Sequence, residues 1–160
     1  MTTDLFNTPF GIKMDMRAVV SEIIRYMWAD EKRTYKIVIG TDSALYPDKT
    51  ADFVTAVVVC RVGNGGRYFW RHLEAGKFHI LRSRIIHEVL LSLDVAKEIL
   101  DELKKAKAPA FDFEIHADIG EHGETKAMIQ EVVGIIRANN FEARTKPESY
   151  AASKVADRYV

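Results

Sequence analysis

The chain has a single cysteine, Cys60, set in an apolar run, which excludes an internal disulfide and fits a reducing compartment. Nowhere do 18 apolar residues follow one another, and the N-terminus, MTTDLFNTPFGIKMD, lacks an apolar signal-peptide core. The expectation is a soluble, cytoplasmic protein with no membrane partner. Net charge is missing too, because 23 basic and 23 acidic residues cancel over 160 positions. The molecule is therefore no polycation, and any nucleic-acid contact must come from a local patch. There is no internal repeat, low-complexity tract or linker, so residues 1–160 read as one domain, with 1–14 as a leader. Also absent are a Ser-His-Asp arrangement, a glycine-rich P-loop and tight Cys/His zinc spacing.

What is present is an alternation of helix and strand signals. Apolar residues at 16, 19, 20, 23, 24 and 27 predict a helix over 15–28 with Asp15 as its N-cap. Its apolar stripe needs a cover, either the chain's own sheet or a second copy in a homodimer. YKIVIG (35–40) and the β-branched DFVTAVVVCRV (52–62) read as strands, and GNGG (63–66) as the hairpin turn before a returning strand, RYFWRHLEA (67–75). Helical spacing then runs from residue 79 to a stop at Pro109. FDFEIHADIG (111–120) is strand into glycine turn, 123–140 a helix, FEARTKP (141–147) a strand, and SYAASKVADRYV a final helix. A meander followed by βα units predicts an α/β fold, a mixed sheet with helices on both faces.

KIVIGTDS (36–43) ends an apolar run on Asp42, and HADIG puts Asp118 in the same place after the fourth predicted strand. If those strands are parallel neighbours, two carboxylates meet beside the sheet's switch point, where open α/β sheets bind ligands. Like charges that close repel unless a cation lies between them. Each aspartate has a plainer reading as a turn cap, with Ser43 and Ala44 N–H groups as partners for Asp42. Glu88 lies among Ile85, Ile86, Val89 and Leu90, near the apolar face of the long helix. Asp157 falls in the last helix behind Ala151, Ala152 and Ala156, with Lys154 as its alternative ion-pair partner. Four carboxylates from two strands and two helices suit hard divalent cations, Mg²⁺ (or Mn²⁺) above all. Around them Ser43, His122, Lys126, Arg82, Arg84 and Lys154 are candidates for substrate contact, each with a surface or capping role as the rival. Arg67, Arg71, Lys77, Arg82 and Arg84 alternate with aromatics over 67–84, a mix that stacks on bases and binds phosphates or, equally, lines a core strand.

The order Asp, Glu, Asp, Asp over these elements resembles the ribonuclease H-like superfamily. GTDS, the HADIG–GETK stretch and KPESYAASKVADRY are similar to the YkuK-type family within it, over roughly residues 17–160. The resemblance implies five strands, the first three antiparallel and the fourth beside the first, with the helix at 15–28 as an addition. It also implies divalent-metal phosphodiester chemistry, with Asp42, Glu88 and Asp118 as the metal-binding carboxylates and Asp157 as the C-terminal acid. The expectation is a metal-dependent nuclease acting on RNA, DNA or a hybrid. The alternative is a non-catalytic module of the same fold that binds nucleic acid or a protein partner.

Overall fold

The computed structural model describes residues 5–160. Its strands are β1 (Phe6–Asn7), β2 (Lys13–Met14), β3 (Tyr35–Leu45), β4 (Thr50–Arg61), β5 (Gly66–Lys77), β6 (Asp112–His116) and β7 (Glu142–Arg144). Helices α1 (Met16–Trp28), α2 (Leu81–Lys105), α3 (Ile129–Ala138) and the short α4 (Asp157–Tyr159) complete it, α4 continuing a π-helical stretch, Ala151–Ala156.

The strands form one sheet in the order β2-β1-β5-β4-β3-β6-β7. β3, β4 and β5 are the antiparallel meander, and β6 lies parallel to β3 with Gly40 opposite His116. These are the five strands expected, in the expected arrangement. Two more come from the leader, for which no strand was expected. Phe6 is fully buried, Asn7 pairs with Trp70 at the edge of β5, and Thr8 Oγ1 closes the turn by donating to Ile12 O at 2.8 Å. Capping the open edge of β5 removes unpaired backbone groups that a leader in solution would leave exposed.

The β3–β4 hairpin is longer than its apolar run. β3 was expected to end near Gly40, but pairing with β4 continues through Asp42↔Val54 to Leu45↔Ala51. Asp42 is therefore inside a strand, and the alternation of side chains decides where it points. Ile37 and Ile39 face the main core with Val57 and Val59, against Ile23 of α1, Val89 and Leu93 of α2 and Ile136 of α3. Val38 faces the other way, onto Ala151, and Val54 packs with Ala156. The sheet is thus covered by α1, α2 and α3 on one face and by the C-terminal segment on the other. The apolar stripe of α1 goes to the chain's own core, capped by Asp15, whose Oδ1 accepts from Ala18 N at 2.8 Å. A homodimer through this helix would have to use its outer side, where Trp28 is half exposed.

Two helix starts differ from expectation. Gly123 takes φ +84° and Lys126–Met128 form a 3-10 turn, so α3 begins only at Ile129 instead of near 123. At the C-terminus six residues adopt the wider π form before α4. Insertions of this kind occur often at functional sites. None of the described helices is long and apolar enough to cross a membrane.

Candidate functional site

Asp42, Asp118 and Asp157 lie at the β3–β6 end of the sheet, with Glu88 on the other side of β3. Asp42 is buried, and its carboxyl lies within hydrogen-bonding reach of Asp157 on the C-terminal segment. Burial first, then that contact, pushes Asp42 up to about 7; the Ser43 N–H on its Oδ1 at 2.8 Å works the other way, and the Asp118 charge adds to the rise. The capping role expected for Asp42 is thus real for Ser43, but it does not outweigh the two acids. Asp157, though exposed, faces Asp42; the ion pair with Lys154 does not occur among the described residues.

Glu88 is 5% exposed on the inner side of α2. Burial pushes it up to about 8; Ser43 Oγ, 2.5 Å from Oε2, opposes this, and the charges of Asp42 and Asp118 reinforce it. Arg84, one turn earlier, reaches Ser43 Oγ at 3.3 Å and tempers the charge at Glu88. Ser43 and Arg84 are therefore joined to Glu88.

Asp118 follows β6 in a short turn where Ile119 N donates to Ala117 O at 2.9 Å. Its Oδ1 is buried and has no hydrogen bond; Lys146 Nζ, 3.2 Å away, is close enough for an ion pair but outside hydrogen-bonding geometry. A cavity of about 10 Å³ lies between Glu88 and Asp118, lined also by Thr41, Ser92 and His116. That is room for about one water-sized occupant.

The four acids sense one another without being gathered. Among the described residues no three Asp, Glu, His or Cys side chains stand ready to hold a metal ion. The pleat supplies the reason. Thr41 and Ser43 face α2, with Thr41 Oγ1 2.7 Å from Ser92 Oγ, so Asp42 between them faces the C-terminal segment while Glu88 lies on the other side. The donor set nevertheless suits a hard cation: oxygen ligands only, one of them an orphaned buried oxygen, and two carboxyls whose ionisation burial and neighbouring charge disfavour.

The other candidates lie apart. Arg82 is engaged with Glu131 of α3. His122 and Lys126 are exposed after Asp118, and Lys154 is exposed on the C-terminal segment; no side-chain hydrogen bond or ion pair links them to the acids among the described residues. The aromatic and basic stretch 67–84 divides by face. Trp70 stacks on Tyr159 at 3.7 Å, while Arg67 and Arg71 lie over the rings of Tyr26 and Phe6. Both sets serve the chain's own packing.

Sequence reasoning missed Glu114 and His116. His116 is 1% exposed; its Nδ1 accepts from Ala151 N at 3.2 Å, which leaves Nε2 to donate to Glu114 Oε1 at 2.7 Å. Burial works to raise Glu114, but His116, Lys36 and Arg144 together hold it below the usual carboxylate range. Burial holds His116 low and hence neutral. This pair fastens the segment bearing Asp157 to β6. The signal was EIH within FDFEIH, a polar residue at alternate positions of a strand otherwise buried. Replacing His116 by Ala leaves the buried Ala151 N–H without its partner and leaves Glu114 only the longer contacts to Lys36 and Arg144. The expected cost is about 3 kcal/mol, or roughly 9 °C in Tm by scanning calorimetry. A drop below about 2 °C would show that the segment is held elsewhere.

Comparison with known proteins agrees with the fold. The ribonuclease H-like family model matches residues 18–160. The chain is similar to a Bacillus subtilis (strain 168) protein called uncharacterized protein YkuK, 34% identical over 169 aligned residues that span 97% of this chain and 96% of that one. No solved structure matches. With the family match over most of its length and the sheet order in agreement, the chain belongs to the ribonuclease H-like family, in its YkuK-type branch.

Proposed function

We propose that this protein is a divalent-metal-dependent phosphodiester hydrolase acting on RNA, DNA or a hybrid. The observation that carries the reading is the juxtaposition of Asp42, Glu88, Asp118 and Asp157, with Asp42 held near 7 and Glu88 near 8. Carboxyls so placed cost stability when ionised, and a divalent cation is the partner that offsets this. Asp42, Glu88 and Asp118 would hold Mg²⁺ or Mn²⁺, and Asp157 would complete or tune the site from beside Asp42. When bound, such ions supply charge stabilisation at a phosphoryl centre and a water more acidic than bulk water. The chain's own residues orient the site. Ser43 and Arg84 hold Glu88, and the Glu114–His116 pair holds the segment that presents Asp157.

The test is a panel of end-labelled RNA, DNA and hybrid duplexes incubated with Mg²⁺, Mn²⁺ or EDTA. Cleavage of at least one substrate that stops in EDTA is expected. A second reading, a non-catalytic module that binds nucleic acid or a protein partner, is favoured by the ungathered carboxylates and the balanced net charge. It predicts retardation of nucleic acid on a gel, insensitive to EDTA, with no cleavage under any condition.

A further inference from the structure

Lys146 occupies a position that no surface lysine needs. It follows β7 by two residues, and its main-chain N–H donates to Ile119 O at 2.7 Å, fixing it over the turn that carries Asp118. The two segments approach so closely that a Cβ on Gly120 would stand 2.9 Å from Lys146 Cβ. Any residue but glycine at 120 would push this strap away. From that anchor the Lys146 side chain runs back to Asp118 and sets Nζ 3.2 Å from Oδ1. Asp118 is mostly buried there, its side chain 19% exposed, while that of Lys146 is 53% exposed.

Three features of this contact matter together. First, Oδ1 faces the ammonium but has no hydrogen bond, so the attraction is electrostatic and incompletely formed. Second, the lysine is half in water, where such a pair is worth little and is readily exchanged. Third, Asp118 cannot go without a counter-charge, because Asp42 and Glu88 are close enough to feel it. Glu88 has Arg84 on its side of β3, but among the described residues Asp118 has Lys146 as its only ion-pair partner.

We propose that Lys146 is the resident cation of the acidic site. It is a positioning residue that neutralises Asp118 in the metal-free chain and is displaced when a divalent ion binds there. The inference rests on the metal-binding reading above and deepens it, because it makes metal affinity the outcome of a competition within the chain. Main-chain anchoring keeps the ammonium near the site after displacement, so removal of the ion restores the pair without any rearrangement of the fold.

Mn²⁺ binding to the full chain, followed by electron paramagnetic resonance, tests it with wild type, Lys146→Met and Lys146→Arg. Lys146→Met is expected to bind Mn²⁺ roughly tenfold more tightly, since the competing charge is gone. Lys146→Arg keeps the charge and should stay within about threefold of wild type. Without metal, Lys146→Met should melt a few degrees below wild type, and saturating Mn²⁺ should close that gap. An unchanged or weaker Mn²⁺ affinity in Lys146→Met, with wild type binding, overturns the role of Lys146 and leaves the metal reading standing. Absence of Mn²⁺ binding in all three proteins overturns both.

Discussion

Asp118→Asn is expected to abolish cleavage of any substrate found for this protein, by about a thousandfold or more, while the chain remains folded. A metal centre supplies several kcal/mol of transition-state stabilisation, and each 1.36 kcal/mol is tenfold in rate. The substitution keeps the size of the side chain but removes the charge that makes Asp118 a ligand. The folded state has little to lose, because the contact with Lys146 is half exposed and lacks hydrogen-bonding geometry. Tm should stay within about 3 °C of wild type. Asp42→Asn should behave likewise, with a melting point equal to or above wild type, because its carboxyl is already held up to about 7. Single-turnover cleavage assays beside calorimetry separate the two quantities. Full activity in either variant would remove the carboxylates from the chemistry.

The second large effect is on stability and needs no substrate. Asp42 and Glu88 titrate at about 7 and about 8 in the folded chain, against ordinary values of 3.8 and 4.5. Both folded values are raised, so the folded state binds more protons than the unfolded chain over this interval. Stability is therefore fully present below about pH 4 for these two groups and is lost as the pH rises through 7 to 8. For Glu88 alone the full loss is about 5 kcal/mol, or roughly 15 °C in Tm. The metal-free protein should thus melt markedly lower at pH 9 than at pH 5.5. Glu88→Gln should flatten most of that slope, and saturating Mg²⁺ or Mn²⁺ at high pH should restore much of the lost stability. A Tm that rises between pH 5.5 and 9 in EDTA would show that the two carboxyls are stably ionised in the fold.

The two experiments separate chemistry from folding. A protein that loses stability with pH but cleaves nothing has the acidic centre without the reaction, and fits the binding module. A protein that cleaves but shows no such slope would draw its carboxylates together only when ion and substrate are present.

Much of this was legible in the residues, and the reasons differ from element to element. The β-branched run 52–62 could only be a strand, and GNGG could only be a tight turn; Gly63 and Gly65 indeed take φ of +76° and +79°. Asp15 announced the start of α1 because a side-chain oxygen there satisfies an N–H the helix cannot. These are local effects, decided within a few residues. Asp42 and Asp118 stood out as well, because carboxylates at the ends of apolar runs are costly enough to demand a reason.

The tertiary structure decided what depends on partners distant in sequence. β3 continues to Leu45 because β4 is there to pair with it, and that extension, not any property of GTDS, directs Asp42 toward Asp157 and Ser43 toward Glu88. The leader became an edge hairpin because β5 offered an open edge. The basic residues of 67–84 dispersed to Tyr26, Phe6, Glu131 and Ser43 because strand and helix alternation sends neighbours in sequence to different faces. Glu114, His116 and Lys146 acquired roles only through Ala151, Asp118 and Gly120, brought against them by the closing of the sheet. Sequence by itself determined the five main strands and the cap of α1; only the folded chain decided the edge hairpin, the length of β3 and which acids share a face, since long-range pairing and packing set register and hence side-chain direction.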